Sequence, residues 1–212
     1  MLPFTAETLF SSFEQYNRAL WPLPILAVAL ALAIILLTLR PVRGGDRAVG
    51  ALMALVWLWI GVGYHFLHFA AIDFAAPLYG VFFVFQGLLL AWTAVVRRLA
   101  FRFGADLFGW TGLTLTIAAA LAWPLADWSG HGWPSVRLAG LAPGPTAEFT
   151  LGLLLLTQGR TPLHLAVIPL LWTLVAGATG WVLAIPQDLA LPVAGLGAFA
   201  LILWKNRRQT RG

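Results

Sequence analysis

Residues 20–47 read LWPLPILAVALALAIILLTLRPVRGGDR: twenty residues without a charged side chain, then three arginines within eight positions. About 20 apolar residues are enough for a helix to cross the hydrocarbon of a bilayer. Basic residues directly after such a stretch are typical of the cytoplasmic end of a span. The stretch therefore predicts a membrane-spanning helix over 20–39 whose C-terminal end is cytoplasmic.

The same alternation continues along the chain. Eleven of the thirteen basic residues lie in alternate connections between the apolar stretches, and the other connections are almost free of Lys and Arg. These eleven are Arg40, Arg43, Arg47, Arg97, Arg98, Arg102, Arg160, Lys205, Arg207, Arg208 and Arg211. The pattern predicts a multi-pass protein of the inner membrane, with a periplasmic N-terminus and a cytoplasmic C-terminus. One Lys against twelve Arg suggests a GC-rich bacterial genome.

The composition supports a membrane protein and excludes several other classes. The chain is 60% hydrophobic and 10% charged, whereas soluble domains are about 25% charged. The few basic residues lie in short loops beside apolar stretches, so we interpret them as topology determinants and expect no nucleic-acid partner. The absence of Cys excludes disulfides and thiolate metal sites. The expected partner is the lipid bilayer.

We predict an all-α fold, a seven-helix bundle that forms a single domain over 1–212. The predicted spans are 20–39, 47–69, 76–96, 107–125, 145–159, 163–184 and 188–204. The fifth is short, so six full spans with a half-helix are the alternative. Residues 5–19 have apolar side chains at helical spacing with charged residues between them, which predicts an amphipathic helix on the membrane surface.

Placing the arginines in the cytoplasm leaves six acids and three histidines on the periplasmic side. His65 and His68 are three positions apart near the outer end of the second span, which predicts that both imidazoles share one helix face. Ionisable groups at this depth normally point into the protein or a wet cavity. The predicted pocket, with Gln86 deeper in the membrane, consists of Tyr64, His65, His68, Asp73, Gln86, Glu148, Gln187 and Asp188.

The chemistry of this pocket has alternatives. His65, His68 and Asp73 are a workable ligand set for a divalent metal, but they equally suit a structural hydrogen-bond network. A haem is disfavoured because His164 lies at the opposite end of its span. Gln86 is the strongly polar residue of the membrane centre, and its amide needs a partner inside the bundle. The lack of an ionisable group there argues against a proton-coupled transporter.

Three functions remain open from the residues. The first is the binding or transport of a small solute or metal ion through the periplasmic pocket. The second is an accessory subunit of a larger membrane complex, without a site of its own. The third is an intramembrane metal-dependent enzyme, which we rank last because no nucleophile is evident. Whether the chain forms a homo-oligomer also stays open.

Several phrases resemble a family of small bacterial multi-pass proteins of the inner membrane whose activity is uncharacterised. They are Leu2-Pro-Phe-Thr-Ala-Glu, Trp57-Leu-Trp-Ile-Gly with Tyr64-His65, Pro145-Thr146 with Phe149-Thr-Leu-Gly-Leu, and Ile168-Pro-Leu-Leu-Trp172 with Pro186-Gln-Asp-Leu189. The resemblance covers most of the chain. It implies a membrane fold of about seven helices and supplies no catalytic residues.

Overall fold

A computed structural model describes residues 2–210, and the fold in this range is helical. The helices are α1 (Ala6–Ala19), α2 (Leu23–Leu39), α3 (Gly45–Trp59), α4 (Ala76–Leu90), α5 (Leu107–His131), α6 (Pro143–Leu155), α7 (His164–Val182) and α8 (Ala190–Arg208). α3 and α4 continue as π-helical turns, Ile60–Phe66 and Ala91–Val96, and a 3-10 turn, Pro186–Leu189, precedes α8. The all-α prediction is confirmed.

Five segments are long and apolar enough to cross a membrane. They are Gly45–Ala71, Ala76–Val96, Leu107–His131, His164–Val182 and Pro186–Arg208. A sixth arises if α1 and α2, which are bent by 92° relative to each other, count as one span. The predicted span 145–159 is not among them, because α6 has 13 residues and a length of about 20 Å. The helices are compatible with a multi-pass membrane protein, and the count of seven spans is not confirmed.

α6 is the centre of the bundle. All of its residues are buried, and α5, α7 and α8 pack around it. α5 approaches α6 through glycines: a methyl group on Gly112 would lie 2.7 Å from the carbonyl oxygen of Gly152. Small residues permit such close helix contacts. Since its neighbours cover it on every side, its length is not set by the thickness of a bilayer.

The C-terminal end of α6 continues into loop 156–163 and meets loop 97–106, whose Phe103 N–H donates to the Thr38 carbonyl at the end of α2. We call this end of the bundle, which includes loop 40–44, the basic end. The Arg102 N–H donates to the Leu156 carbonyl at 2.8 Å. The buried Lys205 ammonium, near the end of α8, donates to the Leu155 carbonyl at 2.9 Å. A cation there suits the negative end of the α6 dipole and satisfies a carbonyl that the helix leaves free.

The opposite end, which we call the cavity end, consists of α1, the loop 132–142 and the 3-10 turn before α8. The apolar face of α1 packs on the protein, where Leu9, Phe10, Phe13 and Tyr16 are buried. Asn17 Nδ2 also donates to the carbonyls of Pro134 and Val136, at 2.6 and 2.8 Å. The amphipathic helix predicted over 5–19 is thus present, and its apolar face covers the bundle rather than facing lipid.

Candidate functional site

Arg137 is the charged centre of the cavity end. It lies in the loop after α5, yet only 5% of its surface is exposed. Its Nε and Nη2 donate to the two oxygens of Asp127 at 2.9 and 2.8 Å. Its Nη1 donates to both oxygens of Asp188 at 2.8 Å. The planar fork of a guanidinium suits such paired carboxylates, so Arg137 connects the end of α5 to the start of α8.

The two carboxylates keep Arg137 charged despite its burial. Burial by itself lowers the pKa of Arg137, but the hydrogen bonds and charges of Asp127 and Asp188 outweigh it and raise the pKa above its ordinary value. Asp127 and Asp188 are themselves 0% and 3% exposed. Each member of this triad therefore depends on the others for its compensating charge.

Glu148, in the first half of α6, lies next to the triad and is bound by a tryptophan. Trp123 Nε1 donates to Glu148 Oε2 at 2.7 Å. The Arg137 guanidinium lies 5.3 Å from the Trp123 ring centroid and 5.1 Å from that of Phe10, within the range of cation–π attraction. Glu148 and Asp188, both predicted as site residues, therefore belong to one neighbourhood around Arg137.

A cavity of about 80 Å³ opens beside Arg137 on the side covered by α1. Its polar lining consists of Tyr64, Asp73, Tyr79, Arg137, Thr179 and Asp188. The rest is largely aromatic and aliphatic, including Phe4, Leu9, Phe13, Phe69, Trp172 and Leu191. Because a single water needs roughly 10–15 Å³ of such space, the cavity suits a ligand of a few heavy atoms.

Asp73 is the acid of the cavity wall that lacks a cationic partner. It is 5% exposed, and its Oδ1 accepts a hydrogen bond from the Ala75 N–H at 2.9 Å. None of the ion pairs formed within residues 2–210 includes it. Asp73 and Asp188 line the cavity together with Arg137, and the three carboxylates Asp73, Asp127 and Asp188 with this one guanidinium carry a combined formal charge of −2.

His65 lies directly behind the cavity with both ring nitrogens unsatisfied. It is 0% exposed, and neither Nδ1 nor Nε2 has a hydrogen-bond partner. Its ring centroid is 5.1 Å from that of Trp172, whose Nε1 is also unpartnered. A buried polar group without a partner costs about 1–3 kcal/mol. Trp172 lines the cavity, whereas His65 lies behind the lining.

His68 does not join His65. Its Nε2 lies 3.0 Å from Ser12 Oγ and 2.9 Å from the Ser12 carbonyl, so it binds α1. The expectation of a shared face assumed α-helical spacing. Residues 60–66 instead form a π-helical turn, and His68 lies beyond its end. The wider turn, with hydrogen bonds from i to i+5, separates the directions in which the two imidazoles point.

The structure does not assemble the predicted metal ligands. Over the part of the chain that is described, no group of three His, Asp or Glu side chains is arranged to hold a metal ion, and this includes His65, His68 and Asp73. Of the remaining predicted residues, Tyr64 lines the cavity, and Gln187 is half-buried beside Asp188 outside its wall. Gln86 lies deeper and binds α7.

Arg137 and Asp127 were not among the predicted site residues, because both fall between the predicted spans 107–125 and 145–159. α5 extends to His131 and so carries Asp127 into the bundle. A signal was present in the charge pattern: Arg137 is one of only two basic residues outside the clusters predicted to be cytoplasmic. A basic residue that breaks the charge bias of a membrane protein is a candidate for a buried ion pair.

A family model matches residues 6–212, and it describes a family of unknown function, DUF6064. The chain belongs to this family. The match covers all eight helices and both ends of the bundle, in keeping with the uncharacterised family that the sequence resembles. No curated protein and no solved structure matches the chain. The case for a function therefore rests on the site itself.

Proposed function

We propose that the protein binds or transports a small organic cation, which enters the cavity from the periplasm. The observation that carries the proposal is Asp73, a carboxylate buried in the cavity wall with no cationic partner among the described residues. Asp127 and Asp188 already share Arg137. An uncompensated buried charge is costly, and a bound cation would compensate it.

The rest of the wall favours an organic cation over a metal ion. The rings of Tyr64, Tyr79 and Trp172 line the cavity together with Asp73. Aromatic faces attract alkylammonium groups by about 0.5–2 kcal/mol each. A divalent metal requires several converging oxygen or nitrogen ligands, and the histidines of this region point in different directions.

The proposal includes a topology with seven crossings and the cavity end in the periplasm. The start of α6 lines the cavity with Leu191 of α8, and its end binds Lys205 of the same helix. α6 thus runs beside α8 from Leu191 to Lys205, although it is too short to face lipid. The exposed arginines of the basic end, including Arg43, Arg97 and Arg98, support a cytoplasmic location of that end.

The test is a binding measurement on purified protein in detergent. Calorimetric titrations would use methylammonium, tetramethylammonium, neutral tert-butanol and acetate. We expect the two cations to bind and the neutral and anionic probes not to. Asp73→Asn keeps the hydrogen bond to the Ala75 N–H and should weaken cation binding at least about 30-fold. Glu7→Gln removes an exposed carboxylate of α1 at the same end and should leave binding unchanged.

Two outcomes would overturn the proposal. One is equal binding of tetramethylammonium and tert-butanol, which would make the site simply apolar. The other is wild-type cation affinity in a folded Asp73→Asn protein. Titration with Zn²⁺ adds the remaining alternative: tight Zn²⁺ binding that is lost in a His65→Ala, His68→Ala double variant would replace the organic cation with a metal ion.

A further inference from the structure

A second recess lies at the basic end, between the end of α4 and the start of α7. Its volume is about 540 Å³, and its walls include Thr93, Arg97, Arg98, Pro162 and His164. Thr93 Oγ1 lies 2.9 Å from His164 Nε2, which joins the two helices at this recess. The lining contains two guanidinium groups and one imidazole, and it contains no acid.

The charges of this recess are uncompensated. Arg97 and Arg98 are exposed and take part in none of the ion pairs that the structure shows in residues 2–210. Arg98 also has a φ of +59°, a left-handed conformation that costs a side-chain-bearing residue roughly 1–2 kcal/mol. Two adjacent guanidinium groups therefore line the recess without a counter-charge among the described residues.

An apolar groove adjoins the charged recess, and Trp92 lines both. The groove has a volume of about 580 Å³ and lies between α3 and the end of α4. Ala51, Ala54 and Ala91 form part of its floor, and Leu55 and Val95 form part of its walls. Small side chains flanked by larger ones leave a furrow along two helices, of the kind that an acyl chain can occupy.

We propose that a membrane phospholipid with an anionic headgroup binds here, with its phosphate on Arg97, Arg98 and His164 and one acyl chain between α3 and α4. Guanidinium groups form paired hydrogen bonds with phosphate oxygens. Basic pockets between helices on the cytoplasmic side are typical sites for acidic lipid headgroups. The adjoining apolar groove distinguishes a lipid from a soluble phosphate. This site is separate from the cavity end and does not depend on the cation that we propose there.

The test is native mass spectrometry of the full chain in detergent, with phosphatidylglycerol, with phosphatidylcholine of the same acyl chains, and with inorganic phosphate. We expect one phosphatidylglycerol adduct that persists at collision energies which remove phosphatidylcholine. Arg97→Gln with Arg98→Gln should weaken this adduct about tenfold or more. The control, Arg207→Gln with Arg208→Gln, removes the same charge from the exposed end of α8 and should retain it.

A second variant tests the acyl groove without changing a charge. Ala51 is exposed on α3, so Ala51→Trp fills the groove while leaving the core intact, and it should also weaken the phosphatidylglycerol adduct. Equal retention of the two lipids, or loss in the control pair as large as in the Arg97 and Arg98 pair, would overturn the site. Binding of inorganic phosphate at the same affinity, unaffected by Ala51→Trp, would overturn the lipid in favour of a soluble phosphate.

Discussion

Gln86 in α4 donates a hydrogen bond from Nε2 to the carbonyl of Leu165 in α7, at 2.9 Å. Leu165 is four residues before Pro169, which lies inside α7. Because proline has no N–H, it cannot bind the carbonyl four residues before it. The polar residue of the α4 centre therefore satisfies the carbonyl that a proline leaves free in the neighbouring helix.

This relationship predicts a coupling that a double-mutant cycle can measure. Gln86→Leu should lower the free energy of unfolding by about 1 kcal/mol, because the Leu165 carbonyl loses its partner. In a Pro169→Ala background, the new N–H donates to this carbonyl, so Gln86→Leu should lower the free energy of unfolding much less. Denaturant unfolding in mixed micelles gives the four free energies. Equal costs in the two backgrounds would show that the hydrogen bond does not contribute.

Arg137 should be the most sensitive charged residue of the protein. Arg137→Met leaves Asp127 and Asp188 buried without a counter-charge, and such losses cost about 3–5 kcal/mol. We expect a large fall in the thermal unfolding temperature. Arg137→Lys keeps the charge but cannot form the same forked bonds, so its unfolding temperature should be intermediate.

The triad also predicts a rescue. Combining Arg137→Met with Asp127→Asn and Asp188→Asn removes all three charges and should recover much of the stability, since replacing a whole buried ion network is often tolerated. Unfolding temperatures of the single and triple variants provide the comparison. A triple variant that is less stable than Arg137→Met alone would show that uncompensated carboxylate charge does not cause the loss of stability.

Changing Asn17 should release α1, the helix that covers the cavity, without unfolding the bundle. Asn17→Ala removes two hydrogen bonds, from α1 to the carbonyls of Pro134 and Val136. Hydrogen–deuterium exchange should then increase in α1 and the loop 132–142 and stay unchanged in α6, because local openings require less free energy than global unfolding. Ser11→Ala, on the exposed face of α1, is the matched control. Faster exchange throughout the chain would indicate a global effect instead.

Two helical glycines provide a matched pair for packing at the triad. A methyl group on Gly180, in α7, would overlap Cβ of Asp188, whereas one on Gly197, in α8, would meet nothing within 4 Å. We expect Gly180→Ala to displace Asp188 from Arg137 and to lower the unfolding temperature. Gly197→Ala should raise it slightly, because alanine favours a helix over glycine by up to about 1 kcal/mol. Equal unfolding temperatures for the two variants would mean that α7 shifts enough to accept the methyl group without displacing Asp188.

The sequence predicted long helices well because their signal is local. The predicted span 76–96 has the same bounds as the helical segment in the structure. The predicted span 107–125 also begins where α5 begins, because Asp106 caps this helix by accepting a hydrogen bond from the Gly109 N–H. Gln86 was expected to find a partner in the bundle, and it does. The identity of that partner depends on where α7 lies beside α4, a long-range relationship that helical periodicity does not encode.

The site was harder to predict because it joins residues that are distant in the chain. Glu148 and Asp188 belong to the predicted pocket, but Arg137, which connects Asp188 to Asp127, falls between two predicted spans and was not predicted. The π-helical turn before His68 also has no composition signal, and it decides where the two imidazoles point. Sequence patterns thus placed several of these residues at one end of the bundle, and the contacts between them required the fold.

The complete burial of α6 has a consequence for how the protein is made. A segment of 13 residues that includes Glu148 is a weak insertion signal, because apolar length and the lack of charge determine whether a helix enters the bilayer on its own. Two of the helices that cover it, α7 and α8, come later in the chain. The central helix therefore reaches its final place only after synthesis has passed it, and a chain that stops at Leu155 lacks two of the three helices that pack around α6.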